Sequence, residues 1–135
     1  MKVTRGYSDG VARPYPVATI GNFDGVHVGH QEILKRARSF AIQCGVPVAA
    51  LTFDPHPLTV VAPAKAPLRL MSVPERVRCL ADSGADIVVV AQSERGLLGM
   101  EADDFITDVL MARFHPAHIV EGPSFGFGKG RKGTP

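Results

Sequence analysis

The feature of the sequence that most constrains the fold is a regular alternation of short apolar runs with segments of helical periodicity. Four runs have the length of buried strands and lie at 17–20, 48–53, 87–90 and 118–120. Three segments between them repeat apolar residues at three- and four-residue spacing and lie at 31–44, 72–84 and 105–114. This alternation predicts an α/β fold in which right-handed crossovers build a doubly wound parallel sheet, with helices on both faces in three α/β/α layers.

The first 16 residues differ from the rest because they combine glycines and prolines with little periodicity. They are predicted to form an irregular lead-in, with room for one short edge strand. Residues 17–135 are predicted to form one domain, since a chain of 135 residues has room for a single core.

Composition and charge argue against several classes of protein. The formal net charge of +2 is too small to indicate a nucleic-acid or membrane partner, although Lys129, Arg131 and Lys132 crowd the last seven residues. No apolar run approaches the roughly 18 residues of a membrane span, and the N-terminus lacks a signal-peptide pattern. Cys44 and Cys79 have no metal-ligand spacing. We therefore expect a cytoplasmic protein with no nucleic-acid and no membrane partner.

The motif GNFDGVHVGH, residues 21–30, follows the first predicted strand and leads into the first predicted helix. Strand ends and helix N-termini meet at this rim of a doubly wound sheet, where backbone N–H groups and the helix dipole attract phosphate. His27 and His30 are three residues apart, so a helix that begins near them presents both to one anion. Gly29 lets the backbone approach closely. The motif therefore predicts a phosphate-binding site.

Two other interpretations of these histidines remain open from the residues alone. A histidine at a helix start is often a surface or capping residue, and two histidines can form part of a metal site. No third ligand is evident, because His56 lies in a proline-rich loop, and His115 and His118 flank the start of a predicted strand. No metal site within the protein is therefore predicted.

Four segments, in the same order, resemble the FMN adenylyltransferase (FAD synthetase) domain of the bacterial bifunctional riboflavin kinase/FAD synthetases, in the HxGH nucleotidyltransferase superfamily. The segments are GNFDGVHVGH at 21–30, TFDPHP at 52–57, PERVRCLADSGAD at 74–86 and VEGPSFGFGKGRKG at 120–133. The first and the last are the most specific, and the resemblance covers nearly all of residues 17–133. It implies a Rossmann-like fold of the HxGH nucleotidyltransferase type.

The resemblance implies an enzyme that transfers AMP from ATP to FMN, giving FAD and pyrophosphate, with Mg²⁺ brought in by ATP. His27 and His30 would be the catalytic residues that donate to the ATP phosphates. The residues implied to bind ATP are Gly21, Asn22, Phe23, His27, Gly29, His30, Gly128, Lys129 and Arg131. The residues implied to bind FMN are Asp54, His56 and Pro57. The small molecules FMN and ATP are thus the expected partners.

Two of these segments also have a physical interpretation of their own. Pro55 and Pro57 favour extended conformations in TFDPHP, which either presents His56 at the rim of the sheet or simply makes a rigid turn. The glycines of GFGKGRKG let successive N–H groups surround an anion, while Lys129 and Arg131 add positive charge. The alternative for this second segment is a solvated basic tail.

The sequence departs from the family at two places. Ser124 stands where the family usually has Asn or Asp, so no polar contact is assigned to it. The family also continues past this glycine-rich loop into another strand and a Ser/Thr-rich segment with an arginine that helps to hold ATP. The domain at 17–135 is therefore expected to be truncated at its C-terminal end. No riboflavin kinase domain is present in the 135 residues, and a longer form leaves room for one on the C-terminal side.

Two other functions remain open at this point. A different HxGH nucleotidyltransferase, such as a cytidylyltransferase, would share the first motif but would need neither TFDPHP nor the basic glycine loop. A non-catalytic nucleotide- or flavin-binding remnant would share all four segments and would lack turnover.

Overall fold

The computed structural model describes nine parts of the chain: 2–5, 15–56, 59–60, 62–66, 68–92, 100, 102–104, 106–107 and 116–122. The strands in these parts are β1 (Lys2–Arg5), β2 (Val17–Ile20), β3 (Val48–Asp54), β4 (Ile87–Gln92) and β5 (His118–Ile119). The helices are α1 (Val28–Cys44), α2 (Val73–Asp82) and a three-residue helix α3 (Ala102–Asp104), and a 3₁₀ turn spans Pro63–Lys65.

The five strands form one parallel sheet in the order β1-β4-β3-β2-β5. The units β2-α1-β3 and β3-α2-β4 step outward to one side, whereas β5 returns to the opposite side of β2. This reversal is the doubly wound arrangement that the sequence predicts. In such sheets ligands bind in the crevice beyond the carboxyl ends of the strands, where the order reverses. Here that crevice lies beyond β2 and β5.

The central strands coincide with the predicted apolar runs. β2 is buried along its whole length, and Val17 and Ile20 of β2 pair with Val48 and Leu51 of β3. Strands that are buried on both faces read as continuous apolar runs, which explains why the sequence locates them well. The predicted strand 87–90 is confirmed and continues to Gln92, where the chain reaches the surface.

Helix boundaries follow the local signals, with one displacement. α1 begins at Val28, three residues before the apolar periodicity, and ends at Cys44, before Gly45, whose φ of 68° favours glycine. Ser72, the first residue of the predicted segment 72–84, caps α2, because its hydroxyl accepts from the N–H of Glu75 at 3.2 Å. Gly84, with φ of 119°, follows the end of α2.

Two predictions concern segments of which the structure describes only a part. Within the predicted irregular lead-in, Lys2–Arg5 form the edge strand β1, which pairs with β4. Most of the predicted helix 105–114 lies outside the described residues, apart from 106–107. None of the helices in the described parts is long and apolar enough to cross a bilayer.

The hydrophobic core lies between the sheet and the two long helices. Its buried members come from β2, the loop after it, α1, β3, α2, the turn after α2, β4 and the residue after β5, and they are Val17, Phe23, Val26, Leu34, Ala37, Ala41, Val48, Ala50, Val73, Leu80, Ala85, Val88, Val90 and Val120. Phe23 and Val26 belong to the HxGH motif segment. The core therefore fixes that loop directly, and not only the strand that precedes it.

Candidate functional site

The loop between β2 and α1, residues 21–27, is wound tightly over the core. Phe23 and Val26 both have positive φ, at 52° and 41°, and their side chains are 1% and 4% exposed. A non-glycine residue adopts such a conformation only when its surroundings fix it, and here burial of the two side chains does so. Gly25, with φ of 90°, completes the turn. The loop is therefore a rigid platform for the histidines that follow it.

His27 is the N-cap of α1. Its Nδ1 accepts from the backbone N–H groups of Gly29 at 3.1 Å and His30 at 3.4 Å, and its carbonyl accepts from Gln31 at 3.0 Å. A backbone N–H can only donate, so Nδ1 carries no proton, and the neutral ring carries its proton on Nε2. The capping interpretation left open by the sequence is thus correct for His27. It leaves the Nε2–H of the exposed ring available as a donor.

Gly29 is explained by this cap. A Cβ atom at position 29 would lie 2.9 Å from Cε1 of His27, which is closer than real Cβ contacts come, and 3.1 Å from its Nδ1. The sequence suggested that Gly29 lets the backbone come close to a ligand, and the atoms that come close in the structure are those of the capping imidazole. The spacing of the HxGH motif is therefore a steric requirement of its first histidine.

His30 stacks on the same ring. The two imidazole centroids are 3.6 Å apart with an interplanar angle of 22°, and His30 meets Phe23 edge to face at 5.2 Å. Burial, and to a smaller degree the neighbouring His27, lowers the pKa of His30 to about 4. Its Nδ1 is buried and has no hydrogen-bond partner in the described parts of the chain. His30 is therefore neutral at neutral pH.

A chain of hydrogen bonds joins α2 to the loop after β2. Arg76 is only 4% exposed, and its guanidinium donates to Thr52 Oγ1 at 3.1 Å and to the carbonyl of Phe53 at 2.8 Å. The Thr52 hydroxyl in turn donates to the carbonyl of Asn22 at 2.9 Å. Burial lowers the pKa of Arg76, but a guanidinium stays charged at neutral pH. A buried cation therefore contacts the last residues of β3.

The segment before α2 is bound to the same rim. The two carboxylate oxygens of Asp24 accept from the N–H groups of Leu70 and Met71, at 2.9 and 3.1 Å. Arg69 forms an ion pair with Asp54 at 2.9 Å. These contacts hold residues 69–71 across the ends of β2 and β3.

The rim encloses a small polar pocket. Its walls come from the loop after β2, the end of β3 and the chain leading into α2, and they are Asn22, Asp24, Phe53, His56, Thr59, Arg69 and Arg76. Burial lowers the pKa of His56, with Arg76 acting in the same direction and Asp24 opposing it. The Nε of Arg76 and the Oδ1 of Asn22 are buried without partners among the described residues. The two guanidinium groups, with the unmatched Nε–H donor of Arg76, suit an anionic ligand, and the Oδ1 of Asn22 is available to accept from a donor group of that ligand.

A carboxyl group lies on the other side of the loop, at the end of β5. Glu121 Oε1 accepts from the backbone N–H of Ile20 and, at 3.4 Å, from the hydroxyl of the fully buried Thr19. Burial raises the pKa of Glu121 to about 8, although both hydrogen bonds act to lower it. Its carboxyl group is therefore largely neutral at neutral pH.

The structure brings most of the predicted site residues together. His27, Gly29 and His30 lie at the start of α1, and Asn22 shares a pocket with His56, beside Asp54 and its partner Arg69. Of the predicted ATP-binding backbone, Gly21 and Phe23 are in contact, since a Cβ at Gly21 would lie 3.2 Å from the Phe23 ring. The predicted residues that lie outside the described parts are Pro57, Gly128, Lys129 and Arg131, and so does Ser124.

Sequence reasoning missed Arg76, although a signal was present. Val73, Arg76 and Leu80 are spaced by three and four residues, and all three are buried on the inner face of α2. A charged residue within an apolar helical stripe must have partners or a function, because burial of an unpaired charge is costly. The two other missed residues, Asp24 and Glu121, give no such signal, since their partners are backbone groups distant in sequence.

No metal cage is found in the described residues. In those parts of the chain, no three His, Cys, Asp or Glu side chains lie together in a way that could hold a metal ion. The Nδ1 atom of His27 is engaged in the helix cap.

Comparison with protein families matches residues 12–135 to the model for FAD synthetase. The bifunctional riboflavin kinase/FMN adenylyltransferase of Escherichia coli (strain K12) is 37% identical over 135 residues, which are 98% of this chain and 43% of the relative. The protein of that name from Pseudomonas fluorescens is 38% identical over 117 residues, 87% of this chain and 37% of the relative. The chain thus spans less than half the length of these curated relatives.

A solved structure with a similar fold is named as a macrolide-efflux protein from Streptococcus pneumoniae. It superimposes with a TM-score of 0.82, covering 94% of this chain and 43% of its own, at 23% sequence identity. At that identity the likeness concerns the fold alone. It agrees with the doubly wound parallel sheet described above.

Proposed function

Since the chain belongs to the FAD synthetase family, we propose that its site joins the phosphate of FMN to the AMP moiety of ATP. An oxygen of the FMN phosphate attacks the α-phosphorus of ATP in line. The new oxygen–phosphorus bond forms as the bond from the α-phosphorus to the β-phosphate oxygen breaks, so FAD and pyrophosphate are the products. Such reactions depend mainly on positioning and on stabilisation of charge.

The observation that carries this proposal is that the loop which leads into the stacked histidines also lines a separate polar pocket with two guanidinium groups. Asn22 and Asp24 line the pocket, and His27 begins the helix that follows. A reaction between two phosphorylated substrates needs donors for both, held within one rigid frame. The buried side chain of Phe23 supplies that frame, because it fixes the loop between the two groups of donors.

The histidines act as neutral hydrogen-bond donors in this proposal. The cap on Nδ1 directs the proton of His27 to Nε2, which faces away from the helix end that it caps. The pKa of His30, lowered to about 4, keeps its ring neutral, with one N–H to donate. Both groups then stabilise the charge that develops on the bridging oxygen.

The polar pocket takes the FMN side. Arg76 and Arg69 supply positive charge, and His56 and Asp54, at the end of β3, are the predicted flavin contacts. The backbone of residues 21–23 takes the adenosine side. Gly128, Lys129 and Arg131 hold the β- and γ-phosphates, a role that rests on the resemblance of their segment to the phosphate loop of the family.

Mg²⁺ enters with ATP in this proposal. The described residues offer no cluster of three metal ligands, which fits an ion held by phosphate oxygens. The ion would neutralise part of the triphosphate charge. We place the reaction in the cytoplasm, a choice supported by the unpaired thiols of Cys44 and Cys79.

The test is chromatography of the protein incubated with FMN, ATP and Mg²⁺. We expect FAD and pyrophosphate in equal amounts, and neither when FMN or ATP is left out. Pyrophosphate from CTP with phosphocholine or glycerol phosphate, but none from FMN with ATP, would instead identify a cytidylyltransferase. Binding of FMN and ATP without any pyrophosphate would identify a non-catalytic remnant.

A further inference from the structure

The backbone hydrogen bonds of β2 alternate between its two neighbours. Val17 and Gly21 donate to carbonyls on the β3 side, those of Pro47 and Leu51. On the β5 side, the carbonyl of Ala18 accepts from the N–H after β5. The next donor on that side is the N–H of Ile20, and it donates to the side chain of Glu121. A carboxyl group therefore takes the place that a backbone carbonyl holds in the rest of the ladder.

The chain after β5 leaves the sheet at this position. A Cβ at Gly122 would lie 3.6 Å from Cδ1 of Ile33, so the backbone after Glu121 runs beside α1. Paired strands stay about 4.8 Å apart as long as their backbones exchange hydrogen bonds. The longer reach of a glutamate side chain lets the backbone of β5 turn away while the end of β2 remains bound.

The position of this contact gives it a consequence beyond stability. It lies where the strand order reverses, which is where ligands of doubly wound sheets bind. Ile20 directly precedes residues 21–23, the backbone assigned above to the adenosine side. The same oxygen accepts from Thr19, whose side chain is fully buried, so both donors of β2 are held by one group.

We propose that Glu121 is a positioning residue, whose side chain forms the last rung between β2 and β5 and sets the place of residues 21–23 for the adenosine of ATP. This inference rests on the proposed function, because it concerns the ATP side of that site. It does not make Glu121 a catalytic residue. Its effect is on the binding of ATP and leaves the FMN side unchanged.

The first measurement needs no substrate. Hydrogen exchange of the Ile20 amide, followed by nuclear magnetic resonance, should be slow in the wild type and in Glu121→Gln, which keeps an oxygen acceptor. It should be at least about tenfold faster in Glu121→Ala, the scale for losing one hydrogen bond. Glu32→Ala, an exposed glutamate of α1, is the matched control and should leave the exchange unchanged.

The second measurement is the KM for each substrate in FAD formation. Glu121→Ala should raise the KM for ATP about tenfold and leave the KM for FMN unchanged, while Glu121→Gln restores the wild-type value. Glu121→Asp is a milder variant for use if the alanine variant fails to fold. It keeps the carboxyl but is one methylene shorter, so it should raise the KM for ATP several-fold.

The two measurements separate the possible failures. If the wild-type protein makes no FAD, the proposed function is wrong, and the dissociation constant for ATP, measured by calorimetry, takes the place of the KM. An equal affinity for ATP in the wild type, Glu121→Ala and Glu121→Asp overturns the positioning role. Equal weakening of ATP and FMN binding also overturns it, because a general loss of structure affects both sides.

Discussion

The loop after β2 is held from its two sides by opposite chemistry. On the β3 side, the buried guanidinium of Arg76 reaches the carbonyl of Asn22 through the Thr52 hydroxyl. On the β5 side, the carboxyl of Glu121 accepts from the N–H of Ile20. One side therefore uses a cation to hold backbone carbonyls, and the other uses an acid to hold a backbone N–H.

This difference in charge between the two sides bears on which substrate each side binds. The β3 side presents the guanidinium groups of Arg69 and Arg76, which suit a phosphate although Asp24 shares their pocket, whereas the β5 side carries a carboxyl group that burial keeps largely neutral at neutral pH. An ionised carboxylate would repel phosphates, while a neutral one tolerates an uncharged nucleoside. The contrast supports FMN phosphate on the β3 side and adenosine on the β5 side.

The largest expected effect comes from the histidine between the two sides. His30→Ala should lower kcat by about 10²-fold or more, because it removes a donor to the charge that develops in the transition state. FAD formation under saturating FMN and ATP measures it. His118→Ala changes an exposed histidine of β5 and should keep full activity. An unchanged kcat in His30→Ala would show that this residue only packs on His27.

On the β5 side, Glu121 should make the free energy of unfolding depend on pH. The pKa of Glu121 is raised from its usual 4.5 to about 8, so between these values the unfolded chain ionises while the folded chain stays protonated. The free energy of unfolding therefore falls as pH rises through this window. From pH 6 to 8, the linkage between proton binding and folding lowers the free energy of unfolding by about 2 kcal/mol.

Glu121→Gln isolates this contribution, because glutamine keeps the acceptor and does not titrate. The difference in the free energy of unfolding between the variant and the wild type should grow by up to about 2 kcal/mol from pH 6 to 8, in favour of the variant. Urea unfolding at each pH measures it, and other titrating groups cancel in the difference. Parallel profiles for the two proteins would mean that the carboxyl is ionised throughout.

On the β3 side, replacement of Arg76 should weaken the binding of FMN, while two opposing effects limit the change in stability. Arg76→Met leaves Thr52 Oγ1 and the carbonyl of Phe53 without a donor, but it also removes the cost of burying a cation that has no ion pair in the described parts of the chain. These opposing effects are each about 1–3 kcal/mol, so the free energy of unfolding should change by no more than about 2 kcal/mol. The KM for FMN should rise about tenfold, the scale of one charge-assisted hydrogen bond.

Arg78→Met is the matched control for this variant. Arg78 lies on the same helix and is exposed, so its replacement should alter neither stability nor the KM for FMN. A tenfold rise in the KM for ATP, with no change for FMN, would contradict the assignment of the two sides. Calorimetric titration with FMN alone tests the same point without turnover.

The sequence predicts the sheet well and the site only in part, for a physical reason. Val17 and Val88 lie in runs whose burial shows directly in their apolar character, so β2 and β4 are found without knowledge of their neighbours. His27 and His30 are found because their spacing is local to one helix turn. Glu121 and Asp24 act through backbone donors that are 101 and at least 46 residues away, and no local pattern records such partners.

The role of His27 shows the same limit within one residue. The sequence leaves two interpretations open, a helix cap or a phosphate donor. The described geometry assigns the cap to Nδ1, and the proposal assigns the phosphate to Nε2. The two interpretations are compatible because the two ring nitrogens have different partners, and residue type alone cannot distinguish the nitrogens.

The smallest expected effect is on stability, and two variants of His27 distinguish the roles of its two ring nitrogens. His27→Asn keeps a side-chain acceptor suited to an N-cap and removes the Nε2–H, whereas His27→Ala removes both. The free energy of unfolding should fall by about 1 kcal/mol in the alanine variant and change little in the asparagine variant. Ser72→Ala removes the cap of α2 and calibrates the size of the effect, with no loss of kcat expected. Both His27 variants should lose kcat equally, because turnover depends on Nε2 alone. A normal kcat in His27→Asn would show that His27 acts only as a helix cap. An equal fall of the free energy of unfolding in both variants would contradict the capping role.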